Sequence, residues 1–154
     1  MTRSTVRLRL CAVLLVLNLA FIWGNSLLPA EISQAFSDWV KALLLPAASS
    51  DSSMSQGSGI LRKIAHFTEF MTLGMLFGWG LAMLKKKPLW GIALSCFAAI
   101  IDETIQIFVP GRGPGLADIL LDTAGATAGI FLLSFGHALF QRTKQYYLTG
   151  GNTK

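Results

Sequence analysis

Residues 85–109 read KKKPLWGIALSCFAAIIDETIQIFV: three lysines and a proline, then an apolar run interrupted near its far end by Asp102 and Glu103. From Leu89 to Val109 the run is long enough to cross about 30 Å of hydrocarbon as a helix rising about 1.5 Å per residue. Lysines before it and acids toward its other end give the run a direction as well as a length. Asp102 lies about 10 Å inside the Val109 boundary at helical rise. An isolated charge at such depth is expensive, so the acid must find other helices, a bound ion or a wet cavity. The fold must therefore be a bundle whose interior holds polar groups.

Working outward, three further runs of the same kind emerge, Leu10–Leu28, Ile64–Leu84 and Leu116–Phe140. Of 154 residues, 53% are hydrophobic and 14% charged, which is too apolar for an ordinary soluble domain. A net charge of +5 could suggest nucleic acid, but nothing resembles a basic nucleic-acid-reading module, and no nucleic-acid partner is expected. The partner is the lipid bilayer. The expected fold is all-α: a polytopic membrane protein, a four-transmembrane-helix bundle with an extracytoplasmic interfacial helix and loop after the first span.

Basic residues flank every second boundary: Arg3, Arg7 and Arg9 before the first span, Lys85, Lys86 and Lys87 between the second and third, Arg142, Lys144 and Lys154 after the fourth. Because Lys and Arg stay on the cytoplasmic side, both termini should be cytoplasmic, and segments 29–63 and 110–117 should face outward. The domain boundaries follow: 1–9 a cytoplasmic N-terminus, 10–140 the membrane domain with spans 10–28, 64–84, 89–109 and 116–140, and 141–154 a cytoplasmic tail. A cleaved signal peptide is the rival reading of the first run. Its length and the lack of a small-x-small cleavage site favour a retained anchor.

Within the outer loop, Glu31–Leu45 sets Ile32, Ala35, Phe36, Trp39, Leu43 and Leu44 at helical spacing, as an amphipathic helix in the interface would. Ala48–Gly59 reads as a flexible linker. Cys11 and Cys96 sit at different depths of different spans, so they are read as free thiols rather than a disulfide.

Polar residues gather at the outer ends of the last three spans. On the second, Arg62, His66 and Glu69 share a helical stripe that Leu73 continues inward; the third carries Asp102, Glu103 and Gln106; the fourth repeats an acid one turn apart, at Asp118 and Asp122. Gly125 and Gly129 extend that last stripe, and a GxxxG face permits close helix approach. Gly74 and Gly78 form a second such pair, read as packing within the bundle. Val109-Pro110-Gly111-Arg112-Gly113-Pro114-Gly115 is a tight turn, and Arg112 at its tip could hold a phosphate or neutralise Asp118 or Glu103. His137, near the other end of the fourth span, is read as an interfacial residue.

These pieces together, Lys63-x-x-His66-Phe67-x-Glu69-Phe70, Asp102-Glu103-x-x-Gln106-x-Phe108, Pro110-Gly111-Arg112 and Asp118-x-x-x-Asp122-Thr123-x-Gly125, resemble the VanZ-like family of small bacterial membrane proteins. The resemblance covers about residues 20–140. It implies a four-helix domain in the bacterial cytoplasmic (inner) membrane, linked through the founding member to low-level teicoplanin resistance, and brings no agreed reaction. Two positions depart from the pattern: a hydroxyl-bearing aromatic often stands where this chain has Phe70, and an amide where it has Asp122. The cluster here is correspondingly more acidic.

Two functional readings follow. In the first, an outward-facing site near the outer leaflet binds or acts on a lipid headgroup or lipid-linked envelope precursor. His66 and Glu69 are then a candidate general base and its orienting partner, Asp102 and Glu103 a second acid or ligands for a divalent cation such as Mg²⁺, and Lys63, Gln106, Arg112, Asp118 and Asp122 substrate-binding groups. In the second, the same residues form a non-catalytic interhelical network in a structural or interaction protein. Their number favours a site, since intramembrane ionisable residues are functional candidates by default. A transport path is disfavoured because the polar stripe stops short of the cytoplasmic half. A homo-oligomer is compatible with either reading.

Overall fold

The computed structural model describes residues 2–44, 54–113 and 115–149, and these form five helices with no strand among them. They are α1 (Arg3–Ser26), α2 (Ala30–Leu44), α3 (Met54–Met83), α4 (Leu89–Ile107) and α5 (Leu116–Thr149). Three, namely α1, α4 and the Leu116–Tyr147 part of α5, are long and apolar enough to cross a membrane. Large apolar side chains stand outward along them, among them Val16, Phe97, Phe131 and Phe135, each more than 60% exposed. A water-soluble monomer rarely shows so much apolar surface.

The second expected span belongs to α3, which does not reach the same hydropathy. Up to its midpoint it carries Arg62, Lys63, His66 and, just beyond, Glu69, and it packs against α1, α2, α4 and α5. Its neighbours cover α3 on several sides, so much of its surface faces protein.

Helix ends differ from the expected span ends for a related reason. Charges mark where lipid stops, whereas helix hydrogen bonding continues regardless, so α1 starts at Arg3 and α5 runs to Thr149. The linker expected at 48–59 is helical from Met54 onward, and residues 48–53 lie outside the described residues. The C-terminal end of α3 closes in a paired turn: Lys86 N–H donates to Leu81 O at 2.9 Å and Lys85 N–H to Ala82 O at 3.1 Å, with Lys85 at φ 54°. That is the pattern in which a left-handed residue satisfies the last helical carbonyls.

The tightest seam joins α3 to α5. A Cβ added at Gly125 or Gly129 would run into the backbone of Phe67 or Met71, and one at Gly74 into the backbone of Ala126. Both glycine pairs therefore serve the same helix contact, with Gly78 against Ile130 and Leu133. Beside the seam lies the apolar core of Ile22, Phe70, Leu73, Ala98, Ala99 and Ala126. It joins α1, α3, α4 and α5 and sets the level above which polar groups meet.

Between α1 and α3, α2 exposes Ile32, Ala35, Phe36, Trp39 and Leu43, and the Phe36 and Trp39 rings stack at 6.0 Å. Ser37, on the opposite face, is buried and donates to Ser33 O at 3.0 Å. The start of α2 is pinned to the α4–α5 turn by Ala30 N–H donating to Pro110 O at 3.3 Å. Gly111 sits there at φ 74° with the Ala30 methyl close by, a conformation that a side chain would strain.

Candidate functional site

The glycine seam decides where the acids go. Because Gly125 and Gly129 bring α5 against the α3 backbone, Asp122, one turn before Gly125, is 1% exposed, beside the His66 turn of α3. On α4, Asp102 is fully buried, and Gln106 one turn later is 2% exposed. His66, Asp102 and Asp122, from three different helices, each bring one potential ligand atom within 4.8 Å of the others.

Asp102 is held from two sides. Its Oδ2 accepts from Ser26 Oγ at 2.8 Å and from Gln106 Nε2 at 2.8 Å, and Gln106 Nε2 also lies 3.3 Å from Ser26 Oγ. Arg62 Nη2 donates to Gln106 Oε1 at 3.4 Å, extending the network to α3. Glu69 Oε1 accepts from Asn25 Nδ2 at 3.0 Å. His66 Nδ1 stands 4.0 Å from both Glu69 Oε2 and Asp102 Oδ2, beyond hydrogen-bond range.

A cleft of about 230 Å³ opens beside this network, lined by Gly59, Arg62, Lys63, His66, Glu103, Gln106, Asp118, Leu121 and Asp122. Seven of the nine residues singled out from the sequence thus border one cleft or the carboxylates next to it: Lys63, His66, Glu103, Gln106, Asp118 and Asp122 line it, and Asp102 lies behind. Glu69 and Arg112 stand toward α1 instead. Glu103 turns to the loop, where its Oε2 accepts the Gly115 N–H at 2.7 Å, so it braces the start of α5 and is not part of the His66–Asp102–Asp122 group. Asp118 folds back over Gly115, at the positive end of α5.

Arg112 makes no ion pair with Asp118 or Glu103 within 4.0 Å among the described residues; Nη2 donates to Asn25 O at 3.4 Å. Its Nε and Nη1 are buried without an acceptor. Burial, and then the neighbouring Arg62, push its pKa below the ordinary guanidinium value, while Asp102, Glu103 and Glu69 oppose the shift. His66 Nδ1, Glu69 Oε2, Asp102 Oδ1 and Asp122 Oδ1 likewise lack partners. The arrangement can hold a cation at the carboxylates and an anion at the arginines.

Asn25, Ser26 and the tie of Arg62 to Gln106 were not read as site features from the sequence. Asn25 and Ser26 lie near the end of a mostly apolar span, where small polar residues are ordinary, and only tertiary packing turns them toward Glu69 and Asp102. His137 is exposed at the far end of α5 and contacts Gln141 at 3.4 Å. Cys11 and Cys96 are both free, and Cys11 Sγ lies 3.4 Å from Leu76 O.

Fold and cluster together define a small helical membrane protein with a polar interior gathered at one end of its helices. The family model described as VanZ/LLP1 matches residues 10–140, and the chain belongs to this VanZ-like family. No curated relative and no solved structure matches it.

Proposed function

We propose that the protein is a four-span VanZ-like protein of the bacterial cytoplasmic membrane whose cleft faces outward and binds the phosphate-bearing headgroup of a lipid or lipid-linked envelope precursor. In this reading α3 crosses with α1, α4 and α5, α2 lies in the outer interface on its Ile32, Phe36, Trp39 and Leu43 face, and both termini are cytoplasmic. The alternation of basic boundaries supports the orientation, and the central position of α3 supports its crossing.

The observation that carries the ligand class is unpaired positive charge at a small opening. Arg62 and Lys63 line the cleft with no carboxylate within 4.0 Å among the described residues, while Arg112, turned toward α1 outside the cleft wall, adds positive charge behind it. A phosphate accepts several charge-assisted hydrogen bonds from such groups. The cleft volume of about 230 Å³ falls below the about 300–1,000 Å³ of drug-sized ligand sites. It suits a headgroup whose chains remain in the bilayer. Should chemistry follow binding, His66 is the candidate base, with the Glu69 and Asp102 carboxylates each 4.0 Å from its Nδ1 to favour the charge it would gain.

Native mass spectrometry of the purified chain with phosphatidic acid, phosphatidylglycerol and phosphatidylcholine tests the binding. The anionic lipids should be retained preferentially, and Arg62→Ala with Lys63→Ala should weaken them by about tenfold or more, given about 1.5–3 kcal/mol per hydrogen bond to a charged group. Equal retention of all three lipids would refute the headgroup. For orientation, a membrane-impermeant maleimide should reach Gly113→Cys on intact cells and Lys86→Cys only after permeabilisation.

One observation favours the alternative, a non-catalytic network. Asp102 Oδ2, Glu69 Oε1 and Glu103 Oε2 each accept from another element, so the polar groups also tie helices and loop together. Under that reading, replacement of His66, Glu69, Asp102 or Arg112 lowers membrane abundance in step with any envelope-stress or glycopeptide phenotype.

A further inference from the structure

We infer that His66, Asp102 and Asp122 bind one divalent transition cation of the Mn²⁺ or Zn²⁺ class. The three come from α3, α4 and α5, and their ligand atoms already lie within 4.8 Å of one another. Around a metal with bonds of about 2.0–2.2 Å, donor atoms stand about 3.0–3.4 Å apart, so closing the triangle takes side-chain shifts on the order of 1 Å. No helix has to move.

Unused ligand capacity points to an occupant independently of that spacing. His66 Nδ1, Asp102 Oδ1 and Asp122 Oδ1 are each buried without a hydrogen-bond partner, on residues 8%, 0% and 1% exposed. Polar atoms in this position are costly unless something fills the gap. Two ionised carboxylates and a neutral imidazole match the charge of a divalent ion, which would leave the buried group electrically neutral.

The surroundings resemble those of a built site. Ser26 and Gln106 fix Asp102 through Oδ2, the oxygen 4.0 Å from His66 Nδ1, as outer partners do for metal-binding carboxylates, while Oδ1 keeps no partner. His66 and Asp122 also border the cleft, so coordination positions remain open to water or a ligand oxygen. An imidazole with two carboxylates suits Mn²⁺ or Zn²⁺ better than Mg²⁺ or Ca²⁺, which prefer oxygen alone, and the absence of thiolate from the group argues against softer ions. The sequence had paired Asp102 with Glu103 as ligands for a cation such as Mg²⁺. With Glu103 turned to Gly115, the ligand set changes, and with it the class of metal.

This site goes beyond the headgroup reading and stands without it. The full chain, purified in detergent free of phospholipid and stripped with chelator, is incubated with MnCl₂ or ZnCl₂, desalted and measured for metal content. One ion per chain is expected, with a higher thermal midpoint. Pulsed electron paramagnetic resonance of the Mn²⁺ form should show coupling to one histidine nitrogen. His66→Gln and Asp122→Asn should lower occupancy at least tenfold, whereas Asp118→Asn, in the cleft wall but outside the triad, should keep the ion. Failure of the unaltered chain to retain either metal, absence of nitrogen coupling, or undiminished occupancy in Asp122→Asn would each overturn the assignment. The first two measurements use the unaltered chain, so misfolding of a variant cannot imitate them, and the absence of lipid separates their failure from that of headgroup binding.

Discussion

Gly129→Ala and Gly136→Ala add the same methyl group to the same helix and should move stability in opposite directions. Alanine is favoured over glycine in a helix interior by about 1 kcal/mol, and a Cβ at Gly136 meets nothing within 4 Å. There the propensity gain stands alone, so Gly136→Ala should be neutral or stabilising by up to about 1 kcal/mol. At Gly129 the Cβ would overlap the carbonyl of Met71, and backbone cannot rotate away as a side chain can. α5 must retreat from α3, giving up contacts on both sides of the seam and drawing Asp122 from beside His66. Overpacking costs about 1–3 kcal/mol, and at a backbone contact the upper part of that range should prevail over the propensity gain. A net loss near 2 kcal/mol is about a thirtyfold change in the unfolding constant. Reversible unfolding in mixed micelles, with increasing sodium dodecyl sulfate and followed by circular dichroism, measures both variants. If Gly129→Ala proved as stable as the unaltered chain, the close α3–α5 approach would be wrong, and so would the account of how Asp122 is buried.

Further expectations use the same assay. Ser26→Ala removes one of two donors to Asp102 Oδ2 and should destabilise by about 1–2 kcal/mol; no change would mean that the α1–α4 tie is not formed. Gly111→Ala places a side chain at φ 74° beside Ala30 and should cost about 1–2 kcal/mol, with the α4–α5 turn becoming more susceptible to added protease. Lys85→Gly should do the reverse, stabilising by up to about 1 kcal/mol, because glycine adopts the left-handed conformation without the Cβ penalty. Asp122→Leu replaces a buried carboxyl whose Oδ1 has no hydrogen-bond partner with an apolar group. Measured without metal, it should be neutral or stabilising by about 1–4 kcal/mol, as replacements of buried charge often are, while metal retention is lost.

How much could be read from the sequence depended on whether a feature was local. Apolar runs report length directly, so α1, α4 and α5 were legible as spans, and the period of Ile32, Phe36, Trp39 and Leu43 gave α2 its helix. The common stripe of Asp118, Asp122, Gly125 and Gly129 was legible too, since helical spacing fixes which residues share a face. Rotation about each helix axis was not, because it follows from packing against partners distant in the chain. Glu103 and Asp102 are adjacent, yet one turns to Gly115 and the other to Ser26, and nothing local distinguishes them. The contribution of α1 was hidden for the same reason. Asn25 and Ser26 look like an ordinary polar end to a hydrophobic run until Glu69 and Asp102 are found opposite them.

The division of Asp102 and Glu69 into a used and an unused oxygen bears on whether the cluster is only a fastening. Asp102 gives Oδ2 to two donors and leaves Oδ1 with none; Glu69 gives Oε1 to Asn25 and leaves Oε2 with none. A network shaped by stability alone would tend to satisfy both oxygens or replace the acid with an apolar residue, because a half-satisfied buried network is worse than either. Here the held oxygens orient the side chains, and the free atoms of Asp102, Asp122 and His66 belong to residues that converge within 4.8 Å beside a cleft. Fastening accounts for the first set and leaves the second without a use. An occupant between α3, α4 and α5 accounts for both, because a ligand site needs groups that are held firmly and yet not already spent.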